Sequence, residues 1–451
     1  MAAPLLVDLV YVRDEMAGVA NVSTLDTVAG ITGDEIARLR ARIGYAATSQ
    51  LSGRWPYYSV ATTDGFRHFA NGYGDDNPLF CDPSYGARSR YGAAIAPPTF
   101  VVTMGVPQGP KAPPEVLRAA AGALAHAHAF QAGSEWEFYR PLYEGDRLVT
   151  ANVITDVEVK ESRFGGGRSV IIHHRQLWWR EGQVDEADRL VASYRCWFVN
   201  TDRRSSSAAT KARVEPSEPR YTPETIAAID AAYEAEERRG DRPRFAADTE
   251  TGEKIAGVVK GPLTVTDMIT FHMGWGWSGQ GMFASRLGWL HRRARPGVWK
   301  PDRFGAPDVV QRVHWDDDMA RRVGTERAYD YGFLRTCWFI HALTNWMGDE
   351  GWLWRYRDRI AGFNYVGDTT WINGAVTAPR PEAGQVDVTL EARNQDDRPT
   401  ASASATVLLP PQAGGEIVTP APDRDVLELL ARCRAAADAS APATKPTDIQ
   451  P

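Results

Sequence analysis

The stretch GDDNPLFCD, Gly74 to Asp82, decides how this 451-residue chain is read. Asp75 and Asn77 ahead of Pro78 predict an Asx-type loop, in which short polar side chains accept backbone N–H bonds while proline sets the turn that follows. Upstream, ITGDEIARLRARIG is an amphipathic helix, and TTDGFRHFANGYG is a shorter one with Thr63 as its expected cap. Downstream, prolines interrupt PPTFVVTMG and PPEVLRAAAGALAH, so the helical signal there has no clear ends. Four β-branched, aromatic-bearing stretches follow: GSEWEFYRPL, DRLVTANVITDVEVKESRF, RSVIIHHRQLWWR and RLVASYRCWFV. Their alternation predicts an antiparallel sheet with one covered face.

The same order returns later in the chain. GPLTVTDMITFHMGWG opens the second pass, YGFLRTCWFIHALTNWMG is a long helix, and FNYVGDTTWINGAVTA, GQVDVTLEARNQD and ASASATVLLP are strands. YEGDRLVTANVI and YVGDTTWINGAV match one another, each with a Gly-Asp turn that launches a strand. Helix then sheet, twice, predicts two α+β units whose sheets join side by side. Between them RRSSSAATKARVEPSEP has linker composition and TPETIAAIDAAYEAEERRG is a capped helix. The expected boundaries are a first domain over 1–204, a linker with helix over 205–244, a second domain over 245–415, and a C-terminal helix with a flexible tail over 416–451.

Composition narrows the function. Apolar residues make up 43% and charged residues 24%, and the net charge is -6 with no basic block. Nucleic acid is a poor partner for such a chain, because phosphate binding needs clustered Lys and Arg; ARLRARIG and HRRARPG read as solvated faces. No run approaches the ~18 apolar residues of a membrane helix, and MAAPLLVDLVYVRDEM lacks a basic n-region, so a cytoplasmic protein is expected. Four dispersed cysteines indicate neither a disulfide framework nor a zinc knuckle. His126, His128 and the pair His173–His174 lack partners at ligand spacing, and no metal or cofactor is expected. GWGWSG, Gly274 to Gly279, spells GxGxxG but follows a helix and is rejected as a dinucleotide site. RFGGGRS, around Gly165 to Gly167, reads as a hairpin turn.

GDDNPLFCDPSYGARSRYGAAIAPPTF resembles the N-terminal dehydratase domain of the MaoC-like family, which includes the R-specific enoyl-CoA hydratases. VHWDDDMARRVG and YVGDTTW resemble that family's C-terminal hotdog. The resemblance covers about residues 40–200 and 245–412 and implies an α+β double hotdog, two long helices each wrapped by a curved antiparallel sheet. Active members carry Gly-Asp-x-Asn-Pro-Leu-His-x-Asp followed by an Ala. Their Asp and His handle protons at an enoyl-thioester double bond, and a backbone N–H at the long helix's start polarises the carbonyl. The first half keeps Gly74, Asp75, Asn77, Pro78, Leu79 and Asp82, but has Phe80 in place of the histidine and Pro97–Pro98 at the helix entrance, where proline has no N–H to donate.

The second half shows the opposite losses. His314, Asp316 and Ala320 fall at the family's offsets, and Tyr331–Gly332 stands at the helix entrance with the Gly332 N–H as oxyanion donor. The motif's Gly-Asp is missing: Trp277 aligns with Asp75, and a Trp- and Arg-rich insertion separates it from His314. The resemblance therefore implies a hydratase or dehydratase acting at the 2,3 position of an acyl thioester, with acyl-CoA as the expected partner and a homodimer compatible. His314 and Gly332 are its expected catalytic residues, with Asp308 or Asp316 assisting. Asp75, Asn77, His272, Trp277 and Tyr331 are candidates for substrate contact. Loop formation competes with that role at Asp75 and Asn77, and His272 is the runner-up proton carrier. Because each half lacks one of the two acid/base residues, a non-catalytic acyl-thioester-binding subunit is the alternative, followed by a hotdog thioesterase. The insertion GWLHRRARPGVWKPDRFG reads either as a lid over CoA or a bulky acyl group, or as cover for a sheet edge.

Overall fold

The computed structural model describes residues 31–47, 56–162, 167–180, 182, 185–202, 218–276 and 282–438. Trp277, Gly165, Gly166 and residues 205–217 of the expected linker lie outside them. The first half contributes strands β1 (Val106–Pro107), β2 (Ala127–Phe138), β3 (Leu148–Ser162), β4 (Gly167–Arg180) and β5 (Leu190–Asp202). The second contributes β6 (Lys254–Lys260), β7 (Trp299–Pro301), β8 (Pro307–Val309), β9 (Trp352–Ile360), β10 (Thr370–Arg380), β11 (Gln385–Asn394) and β12 (Pro399–Leu408). Ten strands form one sheet in the order β1-β3-β4-β5-β2-β9-β12-β11-β10-β6, and β7 with β8 makes a separate two-stranded ribbon. All ladders in the large sheet are antiparallel except the short β1–β3 pair. The halves meet edge to edge as expected, through β2 and β9 from Gly133↔Arg359 to Glu137↔Arg355.

The sheet curves around the central helix, Gly332–Met347, whose residues from Phe333 to Met347 are all buried. The helix sits in a core that draws on both halves, including Phe66, Phe100, Trp136 and Trp178 from the first and Leu353, Val388 and Val407 from the second. Three hydroxyls and one carboxylate bolt it to the seam. Asp358 on β9 accepts from Thr336 Oγ1 of the central helix at 2.6 Å, from Ser134 Oγ of β2 at 3.0 Å and from Tyr356 Oη at 3.0 Å.

The architecture is the α+β double hotdog, with one departure from expectation. The first half has no long helix among the described residues: Pro98–Thr103 is a six-residue 3-10 segment, followed by β1 and a short helix, Pro114–Ala120. Pro107, Pro110 and Pro113 would each remove a helical N–H and clash with the preceding turn. Gly105, at φ +102°, turns the chain where a Cβ would come within 2.7 Å of Thr150 Cβ, which lets β1 reach β3. Thr62, not Thr63, caps the helix Thr63–Gly72, accepting from Gly65 N. The C-terminal helix Arg424–Asp438 packs Val426, Leu430 and Cys433 against Val149, Leu177 and Trp179 of the first half.

Candidate functional site

Two polar clusters flank the central helix. At its N-terminus, Val310–His314 forms a short 3-10 turn anchored by Arg312, a guanidinium only 2% exposed. Arg312 donates to the carbonyls of Lys300 (3.0 Å), Pro301 (2.7 Å) and Val309 (3.3 Å) and pairs with Asp316 at 3.1 Å. His314 is buried and donates from Nδ1 to the Tyr329 carbonyl at 2.7 Å. A carbonyl can only accept, so Nδ1 carries the proton and Nε2 is left as a lone pair. Desolvation lowers the His314 pKa to about 3 against the opposing pull of the Tyr329 carbonyl, so the ring is neutral. Its face lies on Tyr331, with ring centroids 3.6 Å apart. The Tyr331 hydroxyl bonds His272 Nε2 from the helix Val265–Trp275, and burial lowers the His272 pKa to about 4.

Gly332 opens the central helix, so its N–H belongs to the first turn, which has no intrahelical acceptor. A Cβ at Gly332 would fall 2.7 Å from Ile360 Cδ1 and 3.1 Å from Gln131 Oε1. The structure thus brings His314, Tyr331, Gly332 and His272 together. The two carboxylates nominated to assist His314 are engaged elsewhere. Asp316 caps the helix Asp317–Arg322 by accepting from Met319 N and holds Arg312; Asp308 sits in the β7–β8 ribbon and accepts from Val309 N at 2.7 Å. No carboxylate forms an ion pair or hydrogen bond with His314 among the described residues. Asp330, which the sequence reading passed over, is adjacent to Tyr331 and fully buried. It is paired with Arg335 at 2.9 Å, and burial raises its pKa to about 6.

The second cluster holds the signature loop. Asp75 Oδ1 accepts from Asn77 N at 2.9 Å, the expected Asx turn, and Oδ2 accepts from Tyr73 Oη at 3.0 Å. Asn77 caps Pro78–Cys81 by accepting from Leu79 N. The loop also has partners from the other half that no local pattern announced. Lys260, at the end of β6, donates to the carbonyls of Tyr73 (3.3 Å) and Gly74 (3.0 Å) and to His341 Nδ1 of the central helix at 2.8 Å. Three acceptors match the three protons of an ammonium, which accounts for a charge at 6% exposure even though burial lowers the Lys260 pKa. With Nδ1 accepting, His341 carries its proton on Nε2, which faces Asp75 Oδ1 at 3.6 Å. Desolvation keeps His341 well below the usual imidazole range and raises the Asp75 pKa to about 6. Asp75, Asn77 and Lys260 are all engaged by neighbours within this cluster, and Phe80 beside it packs with Leu79 and Ile95. Asp75 and Asn77 therefore hold the loop and dock it to the second half, and they are not brought to His314.

Residues 56–184 match the model for the FAS1-like dehydratase domain region. The chain is 30% identical over 92 residues to a UPF0336 protein of Streptomyces avermitilis, covering 20% of this chain and 59% of that one. It is 31% identical over 94 residues to a UPF0336 protein of Thermobifida fusca, covering 20% and 58%. The match thus spans less than two thirds of the length of these curated relatives. In fold, the chain is similar to a solved MaoC-like dehydratase, with a TM-score of 0.55 at 17% identity, over 82% of this chain and 99% of that one. Residues 56–184 are thus similar to a dehydratase domain region, and 82% of the chain shares the fold of a MaoC-like dehydratase. Among the described residues, no helix is long and apolar enough to cross a membrane and no group of His, Cys, Asp and Glu is placed to hold a metal.

Proposed function

We propose that this MaoC-type chain adds or removes water at the 2,3 position of an acyl thioester, acyl-CoA being the substrate class, and that the chemistry belongs to the cluster at the N-terminus of the central helix. The observation that carries this reading is the His314 tautomer: Nδ1–H is spent on the Tyr329 carbonyl, so Nε2 is a proton acceptor beside the helix entrance at Gly332. The Gly332 N–H and the helix dipole favour negative charge on a thioester oxygen placed there. An imidazole this desolvated is too weak a base to generate free hydroxide. Its role is to take the proton as water bonds to C3 while charge develops on the oxygen held by Gly332; Nε2–H then returns that proton to C2 as the enolate collapses, so that H and OH are both added and His314 is neutral again. Tyr331 and His272 order the wall against which the acyl group lies. The test is His314→Ala and His314→Gln assayed for enoyl-CoA hydration. Loss of at least a hundredfold in kcat is expected, and a loss of only a few-fold would remove His314 from the chemistry.

A second reading has its own support. No carboxylate reaches His314 among the described residues, and Asp308 and Asp316 are committed to structure. A chain without the second proton carrier can bind acyl thioesters as a partner subunit. Measurable acyl-CoA affinity with no turnover across a chain-length panel would select that reading.

A further inference from the structure

Residues 282–305, between the helix that bears His272 and the turn that bears His314, hold five arginines and one lysine against one aspartate, in a chain whose net charge is -6. Several arginines elsewhere in the molecule are paired: Arg175 with Glu137, Arg180 with Asp146, Arg335 with Asp330, Arg380 with Asp387. Arg286, Arg292, Arg293, Arg295 and Arg303 form no ion pair among the described residues. The one aspartate, Asp302, is occupied by the backbone N–H groups of Phe304 and Ala306. Five uncompensated guanidiniums on one short segment repel one another, and an anion relieves that repulsion.

Two large rings stand among them. Trp289 is 40% exposed with the guanidiniums of Arg286 and Arg293 5.8 and 5.0 Å from its centroid, and Phe304 is 77% exposed with Arg303 at 4.6 Å. Exposed aromatic faces among arginines suit a flat base joined to phosphates, since the ring stacks while the guanidiniums take the charge. The segment is not a loose flap. The helix Ser285–Ala294 packs Gly288 against the Phe283 carbonyl, the Trp299 indole N–H donates to His291 Nδ1 at 3.1 Å, and Arg312 ties the Lys300 and Pro301 carbonyls to the His314 turn.

We propose that this insertion docks the phosphorylated nucleotide end of a coenzyme A thioester, its arginines holding the phosphates and Trp289 or Phe304 stacking the adenine. This rests on the thioester reading above and deepens it: the handle recognised is a nucleotide, and the acyl end is directed past the insertion toward His314 and Gly332. Protein-bound pantetheine lacks the nucleotide and gains nothing from the exposed rings.

The experiment uses the full chain, a double variant Arg292→Gln/Arg293→Gln, and Trp289→Ala, with circular dichroism as the check on folding. Calorimetric titration with adenosine 3′,5′-bisphosphate is expected to show binding that weakens with salt and about tenfold in either variant, while adenosine without phosphate does not bind. With crotonyl-CoA the variants raise KM about tenfold at unchanged kcat; with crotonyl-pantetheine they match wild type. Unchanged Kd and KM in the double variant overturn the proposal, as does a preference for crotonyl-acyl carrier protein that the same arginines carry. Arg-dependent nucleotide binding without turnover of any enoyl thioester removes the catalytic reading and leaves the docking site. Turnover with a KM indifferent to Arg292 and Arg293 does the reverse.

Discussion

Replacing Lys260 by Met is the sharpest test of how the two halves are held together. The ammonium donates to three buried acceptors, the carbonyls of Tyr73 and Gly74 and His341 Nδ1, and no water-facing group stands ready to replace it. Each orphaned acceptor costs about 1–3 kcal/mol. The Asp75 carboxylate, whose pKa is lowered in part by Lys260, loses its nearest cation. Removal of one partner of a buried pair typically costs ~3–5 kcal/mol, and methionine recovers some packing with its flexible thioether. The expected net loss is ~3–5 kcal/mol, read as a fall in the urea midpoint at unchanged m. Asp75→Asn introduced beside Lys260→Met should restore part of it, because the uncompensated carboxylate is then gone, and a double-mutant cycle should return a coupling energy of ~1–3 kcal/mol. A loss below ~1 kcal/mol, or strict additivity with Asp75→Asn, would refute the reasoning: Lys260 would then be neutral or hydrated.

Three further outcomes follow from the same geometry. Asp358→Ala leaves the hydroxyls of Ser134, Thr336 and Tyr356 without their common acceptor, and chemical denaturation should show a loss of ~3–5 kcal/mol, with Asp358→Asn recovering part. Gly332→Ala places a methyl against Ile360 Cδ1 and Gln131 Oε1; ~1–3 kcal/mol of destabilisation is expected, together with a kcat loss if the N–H is displaced, measured by hydration kinetics beside thermal unfolding. His174, whose pKa burial depresses to about 4, is bound by fewer protons in the folded than in the unfolded chain between pH 4 and 6.5. Its contribution is therefore present above 6.5 and lost as the pH falls toward 4. His174→Gln should flatten the acid limb of a stability-pH profile by up to ~3 kcal/mol, while the raised pKa of Asp75 works in the opposite direction over a similar window.

Much of the fold was legible because the chain's patterns are local. β3, β4 and β5 are β-branched and alternating, and the central helix is a long apolar run between Gly332 and Gly348. β9 escaped notice for a physical reason. WLWRYRDRI carries Trp352, Trp354 and Tyr356 on one face, but that face runs on into Asp358, a carboxylate whose burial is accounted for only once Ser134 and Thr336 are there to satisfy it. The missing first-half helix was half visible in its prolines, yet the resemblance pointed the other way. At the site, His314, Tyr331 and Gly332 were legible because the family's offsets survive. Lys260 and His341 were not: they lie 81 residues apart in the second half, and they meet the Tyr73–Asp75 loop only when the two halves close on one another. The role of Asp75 as a loop former was readable from Asn77 and Pro78; its distant partners were not.

The central helix belongs by sequence to the second half, but it fills a core that the first half shares and cannot supply. The first half alone would present β2 as an open edge and an unfilled concave face. Expressed separately, the two segments should behave as obligate complements, each insoluble by itself and reconstituted only when synthesised together. The chain is in this sense a heterodimer made permanent by a peptide bond. A change in either half is therefore felt in both, since neither closes its core without the other.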